Sequence, residues 1–331
     1  MTELLSVYTR GVPPLLSHLA DTAPIRRLRL VGMNCGCEYT AFPRFRGGRA
    51  YNRYLHSLGV GCIVWHFTGD PAQAAAGLLH DVATPVFAHV VDFLRGDHLT
   101  QEATEAGTRE RIAESPELCA VLHRYGLQVE DVADYHRYPI ADNDSPRLSA
   151  DRLEYTLGNA LNYGFLQLEE LAALYEDLTV GKNEEGRPEL CFRSREAGLR
   201  FARTALACSR VYVSEEDRCA MQLLSELLGK AIRAGILSED QLWTDEQSVI
   251  DALERSSLAP DWRAFCRLSR VQAAWSDTPP DGRAWRRIPA KKRRIDPLIL
   301  GQGRASALDP AFGSRLADFL AEPQTAWLLA E

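Results

Sequence analysis

The chain has 331 residues, of which 46% are hydrophobic and 25% charged, and its formal net charge is −7. That length is enough for one large domain or two ordinary ones with an ample core. The charge balance is typical of a soluble globular protein and provides no overall attraction to nucleic acid, so nucleic acid is not an expected partner.

Membrane insertion and export are not predicted from the sequence. No apolar run approaches the roughly 20 residues of a membrane helix, and the start of the chain lacks the pattern of a signal peptide. The eight cysteines are scattered, and the close pair Cys35 and Cys37 has no second pair at zinc-finger spacing. We therefore expect a cytoplasmic protein with reduced thiols and no membrane partner.

Residues 1–50 are predicted to be an irregular N-terminal segment, because prolines and a Gly-Gly pair interrupt it, with one short strand over 25–33. From residue 51 the apolar spacing becomes helical. Ser149 is the predicted N-cap of the helix that follows it. The helices predicted in this part of the chain cover 51–69, 70–82, 85–96, 101–115, 116–126, 149–166 and 168–178.

Residues 176–331 are predicted to be a mainly helical C-terminal extension packed on the core. Polar residues between two apolar flanks predict a β-hairpin near 178–193, and helical spacing returns over 195–212, 215–235 and 238–243. The fold class is therefore mainly α, with a helical core, additional C-terminal helices and minor β elements.

A basic run lies in the segment 283–300, which we expect to form a strand or an extended arm. Such a run is most often a solvated face or an interaction arm, and we rank binding of an anionic ligand or a neighbouring subunit below that. Its members are Arg286, Arg287, Lys291, Lys292, Arg293 and Arg294.

His80 and Asp81 follow an apolar helical stretch in the sequence LLHDV. Adjacent residues project about 100° apart around a helix, so both reach one ion only from a helix end or an irregular turn. Taken alone, a hydrogen-bonded structural pair and a metal site are equally open, since a cation would offset the cost of burying both side chains. His56 and Asp151 extend the set to two imidazoles and two carboxylates, which suit Mn, Fe, Zn, Co or Ni, and Mg less well.

Three segments, RYLHSLGV (53–60), LLHDVATPVFAHVVD (78–92) and SADRLEY (149–155), together resemble the HD-domain metal-dependent phosphohydrolases. The similarity is greatest to the deoxynucleoside triphosphate triphosphohydrolase branch and covers residues 51–165, with a looser match over 196–235. It implies an HD-domain catalytic core over 51–175, assembly into a homo-oligomer, and hydrolysis of a phosphate ester or anhydride of a nucleotide. It also implies one divalent metal held by His56, His80, Asp81 and Asp151.

The resemblance assigns further roles residue by residue. His89 stands where the family has a catalytic histidine, and Asp92, three residues on, shares a helix face with it and would orient it. Arg53, Arg152 and Tyr155 stand at positions that hold the nucleotide's phosphates.

The sequence departs from the family's pattern at several positions. Thr84 replaces a second histidine, and Asn159 replaces an aspartate near the sugar; with Gln101 we expect both to bind substrate. Gln101 and Glu102, with His98 just before them, are the best counterparts of a downstream His-Glu pair in the family, and we expect His98 and Glu102 to be catalytic.

Two alternatives remain open at this stage. An HD-type di-iron oxygenase would use additional histidines, for which His98, His123 and His136 are available. A catalytically weak regulatory protein that binds a nucleotide would explain Thr84 and Gln101 in place of the family's residues.

Overall fold

Helices account for most of the regular structure in a computed structural model, which describes residues 2–46, 51–96, 99 and 107–331. The mainly α fold class is confirmed. The helices are α1 Thr2–Tyr8, α2 Pro14–Ala20, α3 Ala23–Arg27, α4 Arg53–Thr68, α5 Pro71–Leu79, α6 Val90–Arg95, α7 Thr108–Ala113, α8 Pro116–Arg124, α9 Val129–Val132, α10 Ala150–Asn162, α11 Leu168–Glu176, α12 Arg195–Val211, α13 Glu215–Arg233, α14 Glu246–Glu254, α15 Ala259–Cys266, α16 Ala305–Leu308 and α17 Pro310–Ala321. The strands are β1 Leu178–Lys182, β2 Pro188–Phe192, β3 Val271–Ala274, β4 Arg286–Arg287, β5 Leu298–Ile299, β6 Gly303–Arg304 and β7 Trp327–Ala330.

The helices that will matter for the site begin and end at residues whose chemistry favours a boundary. The Asn52 side chain accepts a hydrogen bond from the Leu55 amide and starts α4, and Gly69, at φ 63°, ends it. Asp70 caps α5 in the same way, ahead of Pro71 at its first position. The Ser149 side chain caps α10, as its position in the sequence predicted.

The N-terminal segment is more regular than predicted. Residues 2–27 contain three helices, and the strand predicted over 25–33 is instead the end of α3 followed by a 3-10 turn over 28–30. Ile25 and Leu28, three positions apart, are both fully buried, which is helical spacing, and Pro24 occupies the first turn of α3. The strand predicted over 25–33 is therefore wrong.

Two small sheets accompany the helices. The predicted hairpin near 178–193 is confirmed: β1 and β2 pair antiparallel, from Leu178 opposite Phe192 to Lys182 opposite Pro188. Strand β5 adds parallel to β2, and β6 completes a sheet of order β1-β2-β5-β6. The second sheet has the order β3-β7-β4 and carries the start of the basic segment on β4.

Two large hydrophobic clusters form the core. The first joins side chains from α1, α2, α4, α5 and α10–α12, and the second joins side chains from α6 and α13–α15. Since α6 packs on α13, the second cluster unites residues on both sides of position 175, and the predicted division of the chain there stays a prediction. No helix in the described ranges is long and apolar enough to cross a membrane.

Candidate metal centre

The HD pair sits where an apolar helix ends. Helix α5 stops at Leu79, His80 is its C-cap, and Asp81 lies in the next turn, so the pair stands at a helix end, one of the two placements from which both side chains can reach one ion. Helix α5 packs closely on α4 through glycines: a Cβ at Gly77 would lie 3.1 Å from Val64. This close approach brings His80 beside His56, which projects from α4.

The four predicted metal ligands lie together. His56 Nε2 is 3.2 Å from His80 Nε2 and 3.2 Å from Asp151 Oδ1, and His80 Nε2 is 3.6 Å from the same oxygen. Asp81 Oδ2 lies 3.7 Å from both imidazole nitrogens. Donor atoms that share one transition metal at about 2.0–2.2 Å are themselves roughly 3–3.5 Å apart, so this spacing fits a single ion.

The opposite edge of each imidazole is held by an acceptor. His56 Nδ1 lies 2.6 Å from Glu154 Oε2, and His80 Nδ1 lies 2.7 Å from the Gly77 carbonyl oxygen. A carbonyl only accepts, so His80 carries its proton on Nδ1, and its Nε2 lone pair faces His56 and Asp151. A cation between these atoms satisfies a cluster of acceptors that would otherwise repel one another, so the donor set fits a metal.

Glu154 is a functional residue that sequence reasoning missed. It is fully buried on α10, and Tyr51 also donates a hydrogen bond to its carboxylate. It stands three residues after Asp151 and therefore on the same helix face, which is the signal that would have found it. Its contact with His56 has the form of the carboxylate–imidazole pairs that orient metal ligands.

The electrostatics of the cluster favour a positive charge at His56. Burial alone would lower the pKa of His56, but hydrogen bonds with Asp151 and Glu154 raise it to about 10. Burial would raise the pKa of Asp151, yet the hydrogen bond with His56 and the charges of both histidines bring it down to about 2. The pKa of Asp81 is likewise held well below its ordinary range, chiefly by Arg53, against the effect of burial.

Both oxygens of Asp81 are held by neighbouring side chains. Arg53 Nη1 donates to Asp81 Oδ2 at 2.9 Å, and Thr84 Oγ1 donates to Asp81 Oδ1 at 2.8 Å. Thr84 is 1% exposed and holds the Asp81 carboxylate, so its predicted contact with substrate stays a prediction. Arg53 lines the cavity and is at the same time paired with Asp81, and its predicted contact with phosphate also stays a prediction.

His89 and Asp92 form a hydrogen-bonded pair beside this cluster. The predicted helix over 85–96 begins only at Val90, because Phe87 and Ala88 have φ of 56° and 44°. His89 Nδ1 donates to Asp92 Oδ2 at 2.8 Å, and Arg293 Nη2 donates to His89 Nε2 at 3.2 Å. Burial and the charge of Arg293 lower the pKa of His89, although Asp92 opposes the shift, so the ring is neutral at neutral pH.

The remaining predicted site residues are placed as follows. Arg152 does not point as predicted: its Nη1 donates to Asn143 Oδ1 at 2.9 Å and lies 3.0 Å from Asp142 Oδ1. Three predicted site residues, His98, Gln101 and Glu102, lie outside the described residues.

A cavity of about 160 Å³ opens on the four ligands, far more than the roughly 10–15 Å³ that one water needs. Tyr155 and Asn159 line it, as predicted, and Asn159 Nδ2 donates to the Tyr212 hydroxyl at 2.9 Å. Asp217 also lines it, and burial raises its pKa to about 8. The other lining residues are Met33, Asn34, Cys35, Arg53, His89, Phe93, Tyr135, Tyr163, Met221, Ala290, Lys291 and Arg293.

Two of the histidines proposed for a di-iron centre, His123 and His136, lie elsewhere, and the third, His98, is outside the described residues. His123 is exposed, and the half-exposed His136 holds its Nδ1 2.9 Å from Asp142 Oδ2. Within the described ranges, the one group of three or more donors close enough to share an ion is His56, His80 and Asp151.

The helical fold and the clustered histidines and aspartates resemble an HD-type metal site, and comparisons with known proteins agree with that resemblance. The chain is 28% identical over 246 residues to the uncharacterised protein YdhJ of Bacillus subtilis, covering 73% of this chain and 71% of that one. It is 24% identical over 308 residues to the metal-dependent phosphohydrolase cns2 of Cordyceps militaris, covering 88% and 81% of the two chains.

A shorter match links the chain to a triphosphohydrolase. It is 31% identical over 140 residues to the deoxynucleoside triphosphate triphosphohydrolase SAMHD1 of Homo sapiens, covering 36% of this chain and 21% of that protein. No family model matches the chain. The named relatives confirm the relationship to HD-domain phosphohydrolases that the sequence motifs indicated, and they support a hydrolase.

Proposed function

We propose that the protein is a metal-dependent phosphohydrolase that cleaves a phosphate ester or anhydride of a nucleotide. The observation that carries the proposal is the convergence of His56 Nε2, His80 Nε2 and Asp151 Oδ1 within 4.8 Å of one another, with Asp81 beside them. The imidazole and carboxylate donors suit a transition metal such as Mn, Fe, Zn, Co or Ni.

A divalent ion held by these four residues would supply an activated water and shield the charge of a phosphoryl group. Glu154 and the Gly77 carbonyl keep the two imidazoles turned so that Nε2 faces the site. Arg53 and Thr84 hold the Asp81 carboxylate in one orientation, which limits its rotation away from the other donors.

His89 is the group that accepts and returns a proton during the reaction. Asp92 keeps one proton on His89 Nδ1, so Nε2 is the atom that takes up or returns a second proton. Because the pKa of the ring is lowered, Nε2 is unprotonated at neutral pH, so it can accept a proton from the attacking water and pass it to the leaving oxygen.

The far end of the cavity suits a nucleoside. Tyr155, Tyr163 and Tyr212 offer aromatic surface and hydroxyls. The buried Asn159 Oδ1 has no hydrogen-bond partner among the described residues, so it can accept from a ligand hydroxyl or amine. The activities for which the relatives are named, those of a phosphohydrolase and a deoxynucleoside triphosphate triphosphohydrolase, support the same substrate class.

The test is a turnover screen of the purified protein with Asp151→Asn and, as matched control, Asp144→Asn, whose side chain is 90% exposed. Deoxynucleotides and ribonucleotides with one, two or three phosphates are each combined with Mn, Mg, Co, Ni or Fe. We expect phosphate, pyrophosphate or triphosphate release by the parent and the control only, and the released product identifies the bond that is cleaved. A metal-loaded parent that turns over nothing in this panel contradicts the proposal.

We also propose that the protein is a homo-oligomer, on the resemblance, and that it is cytoplasmic, on its scattered cysteines. Light scattering of the purified protein tests the assembly, and a monomer at all concentrations would contradict it. Fractionation of cells that express the protein tests the location.

A further inference from the structure

The cations expected to hold substrate phosphate are largely committed to carboxylates. Arg152 is tied to Asp142, and Arg53 to Asp81. Besides Arg53, two cations line the cavity, Lys291 and Arg293. Both belong to the basic segment near the C-terminus. The sequence alone ranked this segment as a solvated face, so its place in the cavity needs a separate explanation.

The backbone on the N-terminal side of these two residues is fixed. Ile288 is 2% exposed, and its carbonyl accepts a hydrogen bond of 2.6 Å from Arg218 Nη1. Arg218 is itself buried at 3% exposure. The Ala290 amide then donates to Gln324 Oε1 at 2.7 Å. The chain therefore reaches Lys291 in a defined position.

The backbone on the C-terminal side is fixed as well. Ser145 Oγ donates to the Arg294 carbonyl at 2.9 Å, and the Asp296 amide donates to the Pro146 carbonyl at 2.8 Å. Ile295 between them is 4% exposed. Residues 288–296, which we call the basic arm, are thus held at both ends against opposite parts of the fold.

In an extended backbone, successive side chains point to opposite sides, and the basic arm follows that rule. Lys291 and Arg293 line the cavity, whereas Lys292 between them donates from Nζ to the Leu320 carbonyl at 2.9 Å. Arg293 lies deepest, with Nη2 3.2 Å from His89 Nε2. Its charge also acts on Tyr155 and Asp217, which line the cavity on other sides.

We propose that Lys291 and Arg293 bind the phosphate group of the substrate, which makes the basic arm a wall of the active site. The inference rests on the proposed phosphohydrolase function and deepens it. The planar guanidinium of Arg293 presents paired N–H donors that match two phosphoryl oxygens, and the exposed Lys291 adds a point charge. His89, whose Nε2 lies 3.2 Å from Arg293 Nη2, would then lie beside the bound phosphate.

The test measures binding of inorganic pyrophosphate by calorimetry, with and without Mn²⁺, and binding of Mn²⁺ alone by electron paramagnetic resonance. The variants are Arg293→Met and Lys291→Met, and the matched control is Arg294→Met, an exposed arginine of the same arm. We expect Arg293→Met to weaken pyrophosphate binding roughly 10- to 100-fold, and Lys291→Met less, while Mn²⁺ binding stays at the parent value. The control should match the parent in both measurements.

Pyrophosphate binding by Arg293→Met and Lys291→Met at parental affinity overturns the inference, as does a parent that binds Mn²⁺ and no pyrophosphate. Should Arg293→Met fail to fold, the exposed Lys291 carries the test. A parent that binds no metal defeats the proposed function separately. Loss of metal-free pyrophosphate binding in the two variants would still support the arm as an anion site.

Discussion

The two walls of the cavity are built differently. The metal wall, formed by His56, His80, Asp81 and Asp151, comes from two helices and one helix end within the first hydrophobic cluster. The arm wall, formed by His89, Asp92, Asp217, Lys291 and Arg293, combines a turn with two positive-φ residues, the first turn of α13 and an extended segment.

The difference lies in how each wall holds its functional atoms. In the metal wall, the ligands and the residues that orient them are linked in one continuous network from Thr84 and Arg53 to Glu154. In the arm wall, the backbone on either side of the two cations is fixed by hydrogen bonds, and both side chains line the cavity. A metal site needs fixed angles between donors, whereas an anion needs positive charge within reach, so the two tasks suit these two constructions.

If the walls have separate tasks, a change in the metal wall should abolish both metal binding and activity. Asp81→Asn keeps the shape of the side chain but removes the charge that Arg53 and the histidines face. We expect a loss of turnover on the order of 10³-fold, together with loss of Mn²⁺ binding measured by calorimetry. Parental metal affinity in this variant would remove Asp81 from the ligand set.

A smaller loss of metal affinity is expected when the residue that contacts His56 from behind is changed. Glu154→Gln removes the carboxylate that orients His56, so metal affinity should fall roughly 10- to 100-fold while the fold is retained. Tyr51→Phe is the matched control, because it removes the other hydrogen bond to Glu154 and leaves the contact with His56 intact. Equal metal affinities in the two variants would show that Glu154 only fills space.

A change in the arm wall should lower activity and leave metal binding unaffected. Asp92→Asn should leave metal affinity unchanged and lower kcat/KM roughly 10-fold or more. Since Asp92 raises the pKa of His89 against burial and against the charges of Arg293 and Arg53, removing its charge lowers that pKa further. The acidic limb of the pH profile of kcat/KM should therefore move to lower pH, and a limb that stays in place would exclude His89 as the group that accepts the proton.

The smallest effect is expected at the outer edge of the metal wall. Thr84→Val removes the hydrogen bond to Asp81 Oδ1 from a fully enclosed site and replaces it with a methyl group of similar size. We expect the free energy of unfolding to fall by about 1–2 kcal/mol and turnover by a few-fold, measured by urea denaturation and steady-state kinetics. Parental turnover with lowered stability would limit Thr84 to a structural role.

Much of what the sequence predicted depends on interactions between residues that are close together in the chain. Helical spacing predicted α4, α5 and α10, and Ser149 marked the start of α10, because caps and periodicity act over a few residues. The position of His80 and Asp81 at the end of an apolar helix, taken together with His56 and Asp151, indicated a metal site, since neither side chain of the pair is easily buried alone. The motif around them indicated the relationship to phosphohydrolases.

Only the tertiary structure decided which cations meet the cavity. A basic run on a solvated face and one that lines an active site have the same composition, and contacts formed across some 200 residues of chain, such as Arg293 with His89, distinguish them. The same long-range packing turned Arg152 toward Asp142, enclosed Thr84 against Asp81 and placed Glu154 behind His56. Such pairings depend on which helix faces are brought together, and that is set by the packing of the whole core and not by any one segment.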